Sequence, residues 1–404
     1  MPAANMTTNS VTIGGIKLVI GNGASGAVGT EAAARKWSRV FLVTDQEIVK
    51  LGLHKKAIES LKAYKVEYDL FDQVPSDPPT GVVKEGTQLL REGRYDGVVA
   101  IGGGSVMDAA KAMNIMQFHE GEVLNYDNSP SGGKKFRRPG LPLFSIPTTS
   151  GTGSEVTQYA VITSERENRK ATIGDPMLVS SEVFLDPELT IGLPKRITAA
   201  TGIDAIAHAI EAYTSNRVLH VPGSSVFSDT YALQAIRMIS SNLCRAIKEG
   251  TDLEARKQVM LGATMAGFVS QAGSGGAHGM GTPLGARYHV PHGIAVGIML
   301  PYVMEFNASV CPERMREVAK AMGCEIERLS CAEAAIAASG RMTELLKEIE
   351  FPRLAEYVKT EEELMMLSED AARDKCCMLN AKTLNVGEIL ALYQAAWKER
   401  QENE

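Results

Sequence analysis

The chain has 404 residues, of which 44% are hydrophobic and 22% charged, with a formal net charge of −6. That length admits two domains or one large one, and the composition is that of a well-packed globular protein. The negative balance argues against a nucleic-acid surface, which needs a basic face, and no uninterrupted apolar run approaches the roughly 20 residues of a membrane span.

The opening segment, MPAANMTTNS, lacks the charged-then-apolar pattern of a secretory signal and reads as a frayed lead-in. Next, VTIGGIKLVIGNGASG has hairpin character, which suits an antiparallel edge. Four β-branched runs then read as strands: Arg39 to Thr44, Val66 to Phe71, Tyr95 to Ile101 and Leu141 to Ile146. Helical stretches follow Asp45 and begin near Thr80 and Ser105. Strands alternating with helices of this length predict a parallel, doubly wound sheet.

The texture changes at DPELTIGLPKR, where prolines punctuate the chain. Beyond it, Ala199 to Thr214, Tyr231 to Lys248, Asp252 to Ser270 and Pro312 to Met322 carry apolar residues at helical spacing, and strand-like runs nearly vanish. The expected division is an α/β domain over residues 1–193 and an all-α domain over 194–404.

Six cysteines, Cys244, Cys311, Cys324, Cys331, Cys376 and Cys377, all fall in the second half and form no CxxC pair. A secreted disulfide framework would be spread more evenly through a shorter chain, so reduced thiols in a cytoplasm are expected.

Two glycine-rich turns draw attention in the first half. The run GVVAI leads straight into Gly102-Gly103-Gly104-Ser105 and then a helix, VMDAAKAMN. Bare backbone and an open helix N-terminus suit a pyrophosphate, although plain tight turns use the same residues. The second is Pro147-Thr148-Thr149-Ser150-Gly151-Thr152-Gly153-Ser154-Glu155, placed after the next strand, where ligands of such sheets collect. Its alternative is an ordinary hydroxyl-rich loop. Asp45 ends RVFLVTD; its carboxylate would accept from an adenosine ribose and repel a 2′-phosphate, selecting NAD, or would simply cap the following helix.

In the second half, Asp204 and His208 stand four apart within TGIDAIAHAIEAYTS, on one face of an apolar helix. A buried carboxylate needs a partner, and a carboxylate–imidazole pair suits Fe²⁺ or Zn²⁺. His278, in GGAHG, and His292, in VPHGI, would complete a set of four that leaves a position open for a substrate oxygen. The alternative for each histidine is a satisfied core or surface side chain.

GGGSVMDAAK, IPTTSGTGSEVT, TGIDAIAHAIEAYTS and the PHG segment followed by LPYVMEFN together resemble the iron-containing (group III) alcohol dehydrogenase family. The resemblance runs from about residue 38 to 397 and includes the separation of 14 between His278 and His292. Asp374, Cys377 and Asn380 form a further similar pattern. The family implies a Rossmann-like nucleotide-binding domain, a helical metal-binding catalytic domain of the dehydroquinate synthase-like type, and an active site in the cleft between them. It also implies NAD, a divalent metal (Fe²⁺ foremost, with Zn²⁺ or Mn²⁺ as alternatives) and a homodimer or larger homo-oligomer.

By motif match, Gly103, Gly104, Ser105 and Asp108 would border the cofactor pyrophosphate. Thr148, Thr149 and Ser154 would line the nucleotide, Asp45 would favour NAD, and Lys170 would lie near the ribose. One departure stands out: where relatives commonly carry HxxxHPLG, this chain has Thr282 at the second histidine. A threonine hydroxyl can pass a proton but cannot store one near neutral pH. The relay then runs through Thr282, water and ribose hydroxyls, or through His289. Arg287 would suit an anionic substrate tail, unless it serves as an exposed or interdomain ion-pair residue.

The expected reaction is hydride transfer between nicotinamide C4 and a small primary alcohol or aldehyde, with the metal as Lewis acid. Rival readings are a glycerol-phosphate dehydrogenase or dehydroquinate-synthase-like enzyme, which would need a basic phosphate cluster, and a catalytically idle structural relative.

Overall fold

The computed structural model describes residues 8–128, 132–167, 169–219 and 226–398. Most of the N-terminal lead-in and His220 lie outside the described residues. The chain forms two units, one of Met1–Thr149 with Ser154–Gly192 and the other of Ser150–Gly153 with Leu193–Glu404.

In the first unit the β-branched runs become strands. They are β1 (Asn9–Ile13), β2 (Ile16–Ile20), β3 (Arg39–Val43), β4 (Glu67–Phe71), β5 (Gly97–Gly102), β6 (Leu143–Pro147), β7 (Tyr159–Ser164), β8 (Arg169–Gly174) and β9 (Glu182–Leu185). Seven of them form one sheet in the order β1-β2-β9-β6-β5-β3-β4. All neighbours run parallel except β1 and β2, the antiparallel edge that the glycine-marked hairpin suggested.

Side chains alternate cleanly across this sheet. Phe41, Val43, Val98 and Ala100 enter one apolar core, while Val40, Leu42, Val99 and Ile101 enter the other. Burial on both faces is why the central strands read as unbroken hydrophobic runs. The connecting helices are α1 (Val28–Ala34), α2 (Gln46–Leu51), α3 (Lys55–Ala63), α4 (Thr80–Glu92) and α5 (Gly104–Met116). Strands β7 and β8 form a separate antiparallel hairpin that the sequence reading did not separate out. Its signal was present as alternating burial in YAVITS and RKATIG.

The second unit contains no strand among its described residues. It is built from α6 (Lys195–Thr214), α7 (Asn216–Leu219), α8 (Val226–Lys248), α9 (Leu253–Val269), α10 (Gly276–Tyr288), α11 (His292–Val310), α12 (Pro312–Ala321), α13 (Cys331–Glu348), α14 (Glu362–Ala371), α15 (Lys375–Leu379) and α16 (Val386–Lys398). Helix α6 is buried almost all round: Ile203, Asp204, Ala205, Ile206 and Ala207 are consecutive and each at most 2% exposed. Helix α11 is long and apolar enough to cross a membrane, but 67% of its most apolar stretch is buried within the protein, which makes it a core helix. The six cysteines are all free.

Candidate metal centre and nucleotide site

A carboxylate in the middle of α6 needs compensation, and the fold supplies it from three directions. Asp204 is 2% exposed. Its Oδ1 and the Nδ1 of His208 are buried without a hydrogen-bond partner. Helix α10 brings His278 so that its Nε2 lies 3.1 Å from His208 Nε2 and 3.6 Å from Asp204 Oδ1. His292, the first residue of α11, places its Nε2 3.6 Å from the same oxygen. Ligand atoms of Asp204, His208 and His278 all lie within 4.8 Å of one another.

Glu211, one turn beyond His208 and 1% exposed, was missed by the sequence reading. Its carboxylate accepts from the Ala277 N–H at 2.7 Å and the His278 N–H at 3.3 Å, and its Oε2 lies 2.5 Å from His278 Nδ1. A proton on Nδ1 shared with Glu211 would leave Nε2 free to meet a metal beside Asp204 and His208. A carboxylate behind the imidazole is the usual support of a metal-binding histidine. The clue in the sequence was a lone glutamate in the apolar run AIEAY.

Electrostatics favour a cation here. Burial disfavours a charged His278, yet Glu211 and Asp204 outweigh it and push its pKa up to about 10. Burial pulls His208 down to about 4, reinforced by charge on His278 and His292 against the pull of Asp204. Burial alone would raise Asp204, but His208, His278 and His292 hold it well below the carboxylate range. The cluster demands positive charge among its nitrogens, and an orphaned buried carboxylate oxygen with converging imidazoles fits a divalent metal.

Two glycines make the convergence possible. A Cβ on Gly293 would stand 2.3 Å from the Ala200 carbonyl oxygen, so only glycine lets the start of α11 approach α6. A Cβ on Gly279 would stand 2.4 Å from Cys377 Sγ. The C-terminal pattern acts from behind. Asp374 caps α15, and Asn380 accepts from the Gly276 N–H at 3.2 Å while donating to Asn307 Oδ1 at 2.8 Å, which ties down the start of α10.

The remaining residues expected on this side fall on or just after α10. Thr282 is exposed, one turn beyond His278, and its hydroxyl donates to the His278 carbonyl at 3.1 Å. His289 closes the helix in a left-handed conformation, φ 53°. His289 lies eleven positions beyond His278, roughly 16 Å along a helix. Arg287, read from the sequence either as a substrate-anion residue or as an ion-pair residue, forms an ion pair. Its guanidinium is engaged by Asp370 at 2.6 to 2.7 Å, because an Arg near the end of α10 meets an Asp near the end of α14.

In the α/β unit, β5 delivers Gly103 as the N-cap of α5 without any side-chain cap, leaving the first-turn N–H groups of Gly104 and Ser105 open to an anion. Thr148 is buried with its N–H bonded to the Gly102 carbonyl at 3.0 Å. Thr149 lies beside Gly103, its Oγ1 3.5 Å from where a Cβ would be. Asp45 caps α2, one carboxylate oxygen accepting from the Ile48 N–H at 2.8 Å. Lys170 pairs with Asp77 at 2.6 Å.

Two expectations change here. Asp108 is not turned towards a phosphate: it accepts from Ser154 Oγ at 2.6 Å and from the Val161 N–H at 2.9 Å. Ser154 is 4% exposed and engaged with Asp108 and Lys111.

Comparison with known proteins agrees with this arrangement. Residues 16–187 match the family model described as iron-containing alcohol dehydrogenase, and residues 198–397 match the C-terminal model of the same family. The chain is 40% identical over 366 residues to a choline dehydrogenase of Bacillus subtilis, covering 90% of this chain and 89% of that protein. It is 34% identical over 379 residues to a lactaldehyde reductase of Escherichia coli, covering 93% and 97%. A solved 1,3-propanediol oxidoreductase superposes with a TM-score of 0.88 at 32% identity, covering 97% of this chain and 100% of that one. The chain belongs to the iron-containing alcohol dehydrogenase family.

Proposed function

We propose that the protein interconverts a short primary alcohol and its aldehyde with NAD(H), using a divalent metal held by Asp204, His208, His278 and His292. The observation that carries this reading is the convergence of the Asp204, His208 and His278 donor atoms within 4.8 Å, with the Glu211 carboxylate 2.5 Å from His278 Nδ1. When bound, the metal supplies Lewis acidity towards the substrate oxygen and makes the alcohol easier to deprotonate. One carboxylate with three neutral nitrogens suits Fe²⁺ first, with Zn²⁺ and Mn²⁺ as alternatives.

The chain's own residues do the rest. Asp204, His208, His278 and His292 would hold the metal, each through one donor atom. Thr282, exposed and one turn from His278, passes the hydroxyl proton onward through water and ribose hydroxyls. The open first turn of α5, with Gly103, Gly104, Ser105 and Thr149 around it, binds the pyrophosphate. Asp45 sits at the carboxyl end of β3; the oxygen that does not cap α2 selects the 2′-hydroxyl of NAD over a 2′-phosphate.

With Arg287 committed to Asp370, the substrate side offers no unpaired arginine at that position, which favours a substrate without an anionic tail. Choline, lactaldehyde and 1,3-propanediol, named in the three relatives, are short hydroxyl compounds of that kind. The family models and the alcohol- and aldehyde-converting relatives disfavour the sugar-phosphate alternatives, and the intact ligand set disfavours an idle relative. We place the enzyme in the cytoplasm, where its free cysteines remain reduced, as a homodimer or larger homo-oligomer. A panel of short aldehydes assayed with NADH and NADPH after Fe²⁺ reconstitution tests the reading. Turnover with NADH and neutral aldehydes is expected; activity confined to NADPH, or to phosphorylated substrates, would refute it.

A further inference from the structure

Behind the open turn of α5 stands a buried lysine with no role in the mechanism above. Lys111 is 1% exposed, rare for a residue that usually keeps its charge in water. Its ammonium donates to the Ser154 carbonyl at 2.5 Å, Ser154 Oγ at 2.9 Å and the Tyr159 carbonyl at 2.8 Å, with Thr157 Oγ1 at 3.2 Å. One turn earlier on the same helix face, Asp108 holds Ser154 Oγ and the Val161 N–H. Ser154 Oγ thus bridges the two charges. Together they fasten the chain from Ser154 into β7 onto α5.

The contacts continue and return. Strand β7 pairs with β8, and β8 carries Lys170, whose ammonium meets Asp77 at 2.6 Å. The Asp77 N–H reaches Ser105 Oγ at 3.3 Å, in the first turn of α5. A closed ring therefore runs from the second turn of α5 through the hairpin and back to the first. Lys111 adds no net attraction for phosphate, since Asp108 and Glu155 offset its charge. Its contribution is shape.

We propose that Lys111, with Asp108, is a positioning residue for the dinucleotide: it sets the hairpin so that Lys170 and Asp77 flank the phosphate-binding turn. This rests on the reading that the dinucleotide pyrophosphate sits at α5. The test uses the full-length, metal-loaded enzyme and compares wild type with Lys111→Met and the milder Thr157→Val. NADH affinity is read by fluorescence titration, together with KM and kcat for NADH. Lys111→Met is expected to weaken NADH binding by about tenfold or more, with kcat at saturating NADH held within about twofold; Thr157→Val loses about two- to threefold in affinity.

Metal content per chain should not change. If Lys111→Met does not fold, Thr157→Val and Ser154→Ala carry the test, since the first removes a contact to Lys111 and the second removes the bridge between Asp108 and Lys111. NADH affinity within experimental error of wild type in the folded variants would overturn the proposal, as would kcat and affinity falling together. A wild type that binds no NADH would instead overturn the reading on which the proposal rests.

Discussion

On the proposed reading, function in the helical unit rests on side chains that helices present at set intervals; in the α/β unit it rests on backbone N–H groups that a turn leaves uncovered. Asp204, His208 and Glu211 belong to three positions on one face of α6, two of them candidate ligands and the third the partner of His278. At α5 no single side chain makes the site. Gly103, Gly104 and Ser105 offer backbone, and their arrangement depends on the hairpin fastened behind them. The first kind of site is sensitive to identity and the second to shape.

The contrast can be broken at either end. The largest effect is expected from Asp204→Asn or His278→Ala, which remove a ligand. Turnover should fall by roughly a thousandfold or more, the several kcal/mol that a Lewis acid contributes, and metal analysis should show depleted protein. Glu211→Ala keeps every ligand but frees the His278 ring, so metal affinity should drop about 10- to 100-fold. Kinetics at saturating metal should recover, and Glu211→Gln should lie between the two. Gly279→Ala drives a methyl against Cys377 Sγ and should cost about 1–3 kcal/mol in denaturant unfolding.

A pH profile probes the shape-dependent side. Burial lowers the Lys111 pKa from 10.5 to about 8, against the pull of Asp108 and Glu155. Below pH 8 the native state carries the full cost of a buried ammonium. Between those two values the unfolded chain binds more protons, so this group's penalty shrinks as pH rises. The stability difference between wild type and Lys111→Met should therefore move in favour of wild type from pH 8 to 10, by at most about 3 kcal/mol. Smallest of all is Arg287→Ala, an ion pair whose arginine side chain is 42% exposed. It should cost less than about 1 kcal/mol and leave KM for neutral aldehydes unchanged.

What was legible in the sequence follows the same divide. Asp204 and His208 were readable because helix geometry converts a spacing of four into proximity, and β5 with its glycine turn was readable because burial on both faces leaves a continuous apolar run. Glu211 was not, since its partner His278 lies 67 residues away and no local pattern joins them. Lys111 was hidden for a related reason: a lysine on a helix gives no sign of burial until the fold lays Ser154 and Tyr159 over it. The partner of Arg287 was not legible, because Asp370 comes from a helix 83 residues later.

Metal stoichiometry tests the central claim most directly. Protein stripped with chelator and dialysed against Fe²⁺ without oxygen should take up one metal per chain with full return of NADH-dependent turnover, whereas Asp204→Asn and His278→Ala should take up little and stay inactive. Full turnover of the stripped wild type, or stoichiometric metal retained by both variants, would contradict a metal centre at these residues.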